Sequence, residues 1–318
     1  MARSNAAGLA IAMVMLLASP CFAQDTESPQ TEFADASAMP TSTSDLFDKD
    51  ETSDDIAARY HQERMTIPVR IDGKGPFPFL VDTGSEATVV SEQLATNLGL
   101  IRHGEARLIG TISTKGVETV RLSALGVGRK TIEDLPAVLL DANHVGAAGI
   151  LGIDTLRGHR VIFDFVNDSI SIGQPGRASA DKEYEIVVRA KRKQDRMVIS
   201  NARIDGVKVS LIIDTGSNYS IGNNVLRDRL QADATLGYAG IMDVTGTQSN
   251  SDVVMVDMMQ IDSLRLAKSV LLIQDSPAFA ELGLNDKPAV LLGMNHLRAF
   301  ARMSVDFTRR EVAFDLAE

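Results

Sequence analysis

Asp-Thr-Gly-Ser occurs twice in this chain, at Asp82–Ser85 and at Asp214–Ser217. Each copy directly follows an apolar run, Phe79-Leu80-Val81 and Leu211-Ile212-Ile213. One such tetrapeptide reads as a tight turn after a strand, since Gly tolerates positive φ and Asp and Thr bond local backbone. Two of them offer something a turn does not need: a pair of carboxylates for acid–base work, if the fold brings them together. The other chemistry-bearing residues offer less. His61, His103, His144, His159 and His296 show no metal-ligand spacing, and Cys21 is the single cysteine. The sequence therefore implies no metal and no cofactor, and it excludes a disulfide scaffold and a Cys-based zinc cluster.

The tetrapeptides belong to a longer repeat. Residues 70–85 read RIDGKGPFPFLVDTGS and residues 203–217 read RIDGVKVSLIIDTGS. Downstream, GILGIDTL at 149–156 matches VLLGMNHL at 290–297, and RVIFDF at 160–165 matches RMSVDF at 302–307. The offsets are 132 between the aspartates, 141 between Gly152 and Gly293, and 142 between Asp164 and Asp306. Three elements in one order at nearly constant offset point to a duplicated lobe. Both copies read as short β-strands punctuated by Gly, Asn, Asp and Pro. In the first they are Thr66–Ile71, Phe77–Val81, Glu118–Ala124, Ala137–Leu140 and Val161–Phe165. In the second they are Met197–Ile204, Lys208–Ile213, Val253–Ile261, Ser269–Ile273, Met303–Phe307 and Glu311–Phe314. Short helices are expected near Ser91–Leu98 and Gly152–Arg157. The predicted fold is all-β, two similar barrel lobes in one chain with a few short helices, divided at residues 59–177 and 178–318.

The ends read differently. Arg3, the apolar run Ala6–Ala18 and the small residues before Ala23 form a secretory signal peptide over residues 1–23. Its roughly 13 apolar residues fall short of the about 20 that span a bilayer. Pro20 makes Cys21 a poor lipid-anchor site. An exported, periplasmic or secreted protein is the expectation. Residues 24–58 are acidic: the stretch 24–55 holds ten Asp and Glu against Lys49 alone. Such a segment buries too little apolar surface to offset its ordering entropy, so disorder is expected, as a tether or a propeptide. The formal charge of −10 thus sits mostly on this leader, leaving −2 on residues 56–318. The acidic balance argues against a nucleic-acid partner, which needs a basic face. The basic run Arg189, Lys191, Arg192, Lys193 and Arg196 reads as a solvated hairpin, and Gln274–Lys287 as a loop or short helix at a cleft rim.

With these residues in view, the chain resembles the retropepsin-like aspartic proteases over residues 62–316. The resemblance rests on the two Asp-Thr-Gly-Ser loops and on Ile150-Leu151-Gly152 and Leu291-Leu292-Gly293. It implies that each apolar-apolar-Gly strand crosses beneath an Asp loop. It also implies that Asp82 and Asp214 are the catalytic pair, holding one proton between them and activating a water. Thr83 and Thr215 would bond across the lobes, Gly84 and Gly216 would allow close approach, and Ser85 and Ser217 would bond the carboxylates. Flaps closing on an extended peptide are expected at Ile109-Gly110-Thr111 and Thr245-Gly246-Thr247. The implied assembly is a monomer with an internal pseudo-dimer.

The sequence also departs from the family. Ile153 and Met294 replace an Arg that, in viral members, pairs with an Asp four residues past the catalytic one. Glu86 and Asn218 occupy that partner position, with no evident cation for Glu86. Three readings compete: an aspartic endopeptidase acting on protein or peptide, a catalytically weak peptide-binding module on the same fold, and a structural β-protein in which both motifs are only turns.

Overall fold

The computed structural model describes residues 10–13, 17–18, 54–61, 63–175, 184–193, 196–230 and 235–317. Strand dominates, with short helices between. Alternation decides which side faces inward. Along Arg64–Ile71, Ile67, Val69 and Ile71 are buried while Pro68 and Arg70 face out, the two-residue period of a pleated strand.

Each repeat closes into a six-stranded barrel. In the first, the ring runs Arg64–Ile71, Lys74–Val81, Gly149–Leu151, Val89–Ser91, Lys130–Leu140 and Thr114–Val127, which returns to Arg64–Ile71. In the second it runs Arg196–Ile204, Val207–Ile213, Ala289–Leu292, Ile221–Gly222, Leu264–Ile273 and Gln248–Ile261, which returns to Arg196–Ile204. Closure leaves no free edge in either ring, and a barrel this small is filled by side chains. The expected helices form at Glu92–Leu98, capped by the Ser91 hydroxyl, and at Ile153–Leu156, entered from Gly152.

The third repeat element joins the lobes. Arg160–Asp164 pairs antiparallel with the strand Phe300–Asp306, placing Ile162 opposite Ser304 and Val161 opposite Val305. Ile162 and Ser304 are the same position of the two copies, so a pseudo-two-fold axis passes between them, as at an isologous dimer interface. Ser169–Gly173 and Glu311–Leu316 flank this pair, and Asp54–Ala57 and Ile186–Arg189 close the sheet. One apolar cluster runs through both barrels and this shared sheet. The lobes therefore bury their apolar faces together and act as one folding unit.

Several expectations change here. Residues 54–57, expected within the disordered acidic leader, are an edge strand paired with Ser169–Ile172. Ile56 is buried there, and Asp54 accepts from the backbone N–H of Arg129 and pairs with its guanidinium. Residues 24–53 lie outside the described residues, as does most of the interlobe connection. Within the expected signal segment, Ala10–Met13 and Leu17–Ala18 are described, as strands. The strands Arg102–Ile109 and Thr235–Asp243 were not anticipated. They are the outer arms of two long hairpins, mostly solvated, and carry little apolar alternation. Pro277–Glu281 is a short helix, and its Phe279 is buried in one cluster with Ile109 and Ile241 near the hairpin tips.

Candidate active site

Each aspartate ends a barrel strand, and an apolar-apolar-Gly strand lies parallel beside it. Leu80 and Val81 pair with Ile150 and Leu151, and Ile212 and Ile213 with Leu291 and Leu292. The backbone N–H of Asp82 donates to the Leu151 carbonyl and that of Asp214 to the Leu292 carbonyl, both at 3.0 Å. Just past each Gly, Ile153 N–H donates to the Ser85 carbonyl and Met294 N–H to the Ser217 carbonyl, both at 2.8 Å. Every Asp loop is thus held at both ends by the same neighbouring segment. Ile153 and Met294 are buried in the core, and no Arg is needed there.

The loops meet across the pseudo-two-fold axis. Thr83 N–H donates to the Thr215 hydroxyl at 3.0 Å, and Thr215 N–H donates to the Thr83 hydroxyl at 3.2 Å. Each hydroxyl then donates to the strand behind the opposite aspartate, Thr83 to Ile213 and Thr215 to Val81. Four reciprocal bonds lock one loop to the other. The glycines follow from that contact. A Cβ at Gly84 would stand 2.6 Å from Oδ1 of Asp214, and one at Gly216 would overlap the carboxylate of Asp82. Only a residue without a side chain lets each carboxylate reach the other loop.

Both carboxylates are fully buried. The N–H groups of Gly84 and Ser85 donate to Oδ1 of Asp82, and the N–H of Gly216 donates to Oδ1 of Asp214. Oδ2 of each aspartate has no protein partner among the described residues. One oxygen of each acid is therefore fixed by backbone and the other is left for chemistry. The serines act otherwise than expected. The Ser85 hydroxyl donates to the Ala87 carbonyl and the Ser217 hydroxyl to the Tyr219 carbonyl, so they brace the loop exits. It is the backbone N–H of Ser85 that reaches a carboxylate.

Burial raises both acids. It pushes Asp82 up to about 6, against the backbone N–H of Gly84 and the charges of Arg196 and Arg64. Asp214 lies well above the usual carboxylate range, first from burial and then from the charge of Asp82. Two such groups titrate as a pair, and above the ordinary carboxylate range the pair holds on to a proton.

Two buried arginines stand behind the loops. Arg196 donates to the Gly84 carbonyl at 3.0 Å and pairs with Glu86 at 2.6 Å. It was expected on a solvated hairpin, and its side chain is instead fully enclosed. Arg64 occupies the same place in the other half, donating to the carbonyls of Gly216 at 3.5 Å and Val145 at 3.2 Å. Each lobe thus sends an arginine across to the opposite Asp loop. The sequence carried the signal, because Arg64-Met65 and Arg196-Met197 each stand 18 residues before their aspartate.

The expected flap residues sit at the tips of the two hairpins. The tips interlock. Asp243, buried, accepts from Ile112 and Ser113 N–H groups at 3.0 Å and from Thr245 N–H at 2.9 Å. The Ser113 hydroxyl bonds those of Thr245 and Thr247. Ile109 packs into a second-lobe cluster and Val244 into a first-lobe one. The outer hairpin edges accept further strands: Ala10–Met13 runs parallel to Ala106–Ile109, and Leu17–Ala18 antiparallel to Met242–Asp243. Among the described residues no three His, Cys, Asp or Glu side chains converge as metal ligands, and no helix is long and apolar enough to cross a membrane.

Twin barrels related by a pseudo-two-fold axis, with one buried aspartate from each at the junction, define a two-lobed, retropepsin-like aspartyl protease fold. The family model for aspartyl proteases matches residues 67–155 and again residues 200–296, one segment in each lobe. The chain belongs to the aspartyl protease family. No curated protein matches it.

Proposed function

We propose that the protein is an aspartic-type endopeptidase that hydrolyses peptide bonds of extended protein segments. The observation that carries this reading is the meeting of Asp82 and Asp214, each with one oxygen held by backbone N–H groups and one without a protein partner. With one proton on the pair, the ionised carboxylate takes a proton from a water while its oxygen attacks the scissile carbonyl carbon. The protonated carboxyl donates to the carbonyl oxygen, giving a neutral gem-diol. Collapse of that intermediate breaks the C–N bond: the proton taken from water passes to the departing amine, and one gem-diol hydroxyl returns its proton to the carboxylate that had donated, restoring the singly protonated pair. Arg196, Arg64 and the crossed threonines keep the loops in register, so little reorganisation accompanies the step.

The hairpin edges favour an extended substrate. Two edges related by a two-fold axis run in opposite directions, so a peptide crossing between them is parallel to one and antiparallel to the other. The chain's own residues 10–13 and 17–18 pair in those two senses, which supports strand addition as the binding mode. The apolar run and cleavage site at residues 1–23 support action outside the cytoplasm, and the internal pseudo-dimer supports a monomer.

The test is mass-spectrometric mapping of new termini in unfolded protein substrates, across pH, for wild type, Asp82→Asn and Asp214→Asn. Cleavage by wild type and loss in both variants supports the reading. Tight binding of unfolded peptides by all three proteins without new termini would replace it with the binding-module reading.

A further inference from the structure

The arginines are alike in the two lobes, but the acids set around them are not. Glu86, four residues past Asp82, pairs with Arg196, whereas the same position past Asp214 is Asn218. The exchange recurs one layer out. Oδ1 and Oδ2 of Asp154 accept from the hydroxyl and N–H of Thr88, both at 2.8 Å. In the second lobe Oδ1 of Asn295 accepts from the N–H and hydroxyl of Ser220, at 2.9 and 3.0 Å. At 154 and 295 both contacts to the paired hydroxyl residue are kept while a carboxylate becomes an amide, and at 86 and 218 an acid gives way to a shorter amide. In both places the first lobe carries an acid where the second carries an amide.

We propose that Arg64 is a positioning residue for the aspartate pair: with Asn218 and Asn295 in place of carboxylates, its charge sets, from the second-lobe side, the pH range over which the pair holds a single proton. The inference rests on the reading of Asp82 and Asp214 as a working pair. Arg64 stays charged in its site. Burial lowers it to about 10, and the charges of Asp82 and Asp214 hold it there. The charged and titratable groups around the pair are Arg64 with His61 beside it, Arg196, Glu86, Asp154, His296 behind Ser220, and Asp243 and His144 at the second hairpin tip. Burial keeps His61 and His296 below the usual imidazole range, so at neutral pH the arginines and acids dominate the local field. A cation near a carboxylate favours its ionised form, and an added anion opposes it.

The test reads the pair directly. Carboxyl-carbon NMR of Asp-labelled protein, with the two signals assigned by their loss in Asp82→Asn and Asp214→Asn, gives the titration midpoints without needing turnover. Asn218→Asp should move the midpoints upward by on the order of one pH unit. Glu86→Gln should move them downward. Arg64→Lys should hold them near wild type, while Arg64→Met should raise them. Midpoints unchanged in Arg64→Met, or moved in the same direction by Asn218→Asp and Glu86→Gln, overturn the proposal. Should Asn218→Asp fail to fold, Arg64→Met set beside Arg64→Lys still decides it. If the shifts appear in a protein that cleaves no peptide, the charge inference stands and the protease reading alone is lost.

Discussion

Around Asp82 the first lobe sets Glu86, Asp154 and Thr155; around Asp214 the second sets Asn218, Asn295 and His296. The backbone bonds are the same on both sides. The backbone N–H groups of Asp82 and Asp214 donate their strand bond at 3.0 Å, and the carbonyls of Ser85 and Ser217 accept theirs at 2.8 Å. The comparison separates two demands on a duplicated site. Holding the aspartates in place needs backbone pairing, glycine and crossed threonines, and there the lobes agree. Setting the proton on the pair needs only a suitable total field, and any distribution of charge that supplies it serves. A homodimer cannot make that distinction, because each change appears twice.

The largest expected effects test the agreement. Asp82→Asn and Asp214→Asn should each lower kcat for peptide hydrolysis by at least about 1,000-fold, since neither carboxylate does the other's part. Residual activity that differs sharply between the two would break the symmetry at its centre. Next comes stability. Arg196→Met leaves Glu86 partly enclosed without its cation, and chemical denaturation should show a loss of about 3 kcal/mol. Arg64→Met, facing an amide at the corresponding position, should cost clearly less. Equal losses would mean that the arginines act only through the carbonyls of Gly84 and Gly216, and the difference at 86 and 218 would carry no energy.

How much of this was legible beforehand follows the same division. Duplication, strand content and the paired Asp-Thr-Gly-Ser loops were readable because each is local or repeats at fixed offset. The fold class and family read from them agree with the structure and with the family match in both lobes. The arginines were not read, because a buried Arg and a solvated one look alike in sequence, and Arg196 sits in a basic run. The serines misled for another reason: their hydroxyls have closer carbonyl partners two residues on, which only loop geometry reveals. The hairpin arms Arg102–Ile109 and Thr235–Asp243 are buried only toward their tips, and the solvated remainder lacks the alternation that marks a strand. Asp243 went unread because its partners belong to the other lobe's tip.

Acid should act with opposite signs on the aspartate pair and on His296. Asp82 and Asp214 are raised on folding, so their burial costs nothing below the ordinary carboxylate range. For Asp82 the cost grows as pH rises from there through about 6. Replacing Asp82 by Asn should therefore raise stability by about 2 kcal/mol at pH 7.5, with the gain vanishing near pH 3.5, read as the difference in Tm from wild type. A gain that persists at low pH would mean the aspartates fold unperturbed. His296 runs the other way. Burial lowers it to about 4, so the second lobe is fully stable above the usual imidazole range and loses stability as pH falls from there toward 4. The loss should reach about 2 kcal/mol at pH 5, and His296→Gln should abolish it. Thr155 stands in the place of His296 in the first lobe and has no proton to titrate in this range, so the acid loss has no first-lobe counterpart.

The smallest effect concerns the interlocked tips, where the lobes again differ. The second hairpin supplies Asp243, a buried acceptor for two N–H groups of the first, whereas residues 109–113 of the first hairpin contain no acid. Asp243→Asn turns one carboxylate oxygen into an N–H donor. If the amide keeps its oxygen toward Thr245, its NH2 faces the N–H groups of Ile112 and Ser113. If it flips, the Thr245 N–H loses its acceptor instead. Either way one side of the tie is lost while the hairpin itself remains, because Asp243 N–H still donates to the Thr247 carbonyl. The expected cost is about 1 kcal/mol, which is roughly fivefold faster exchange of the Ile112 and Ser113 amides, with exchange in the barrel strands unchanged. Should those amides exchange at the wild-type rate, the apolar packing of Ile109 and Val244 into opposite lobes must be what holds the tips, and Val244→Ala would become the variant that loosens them.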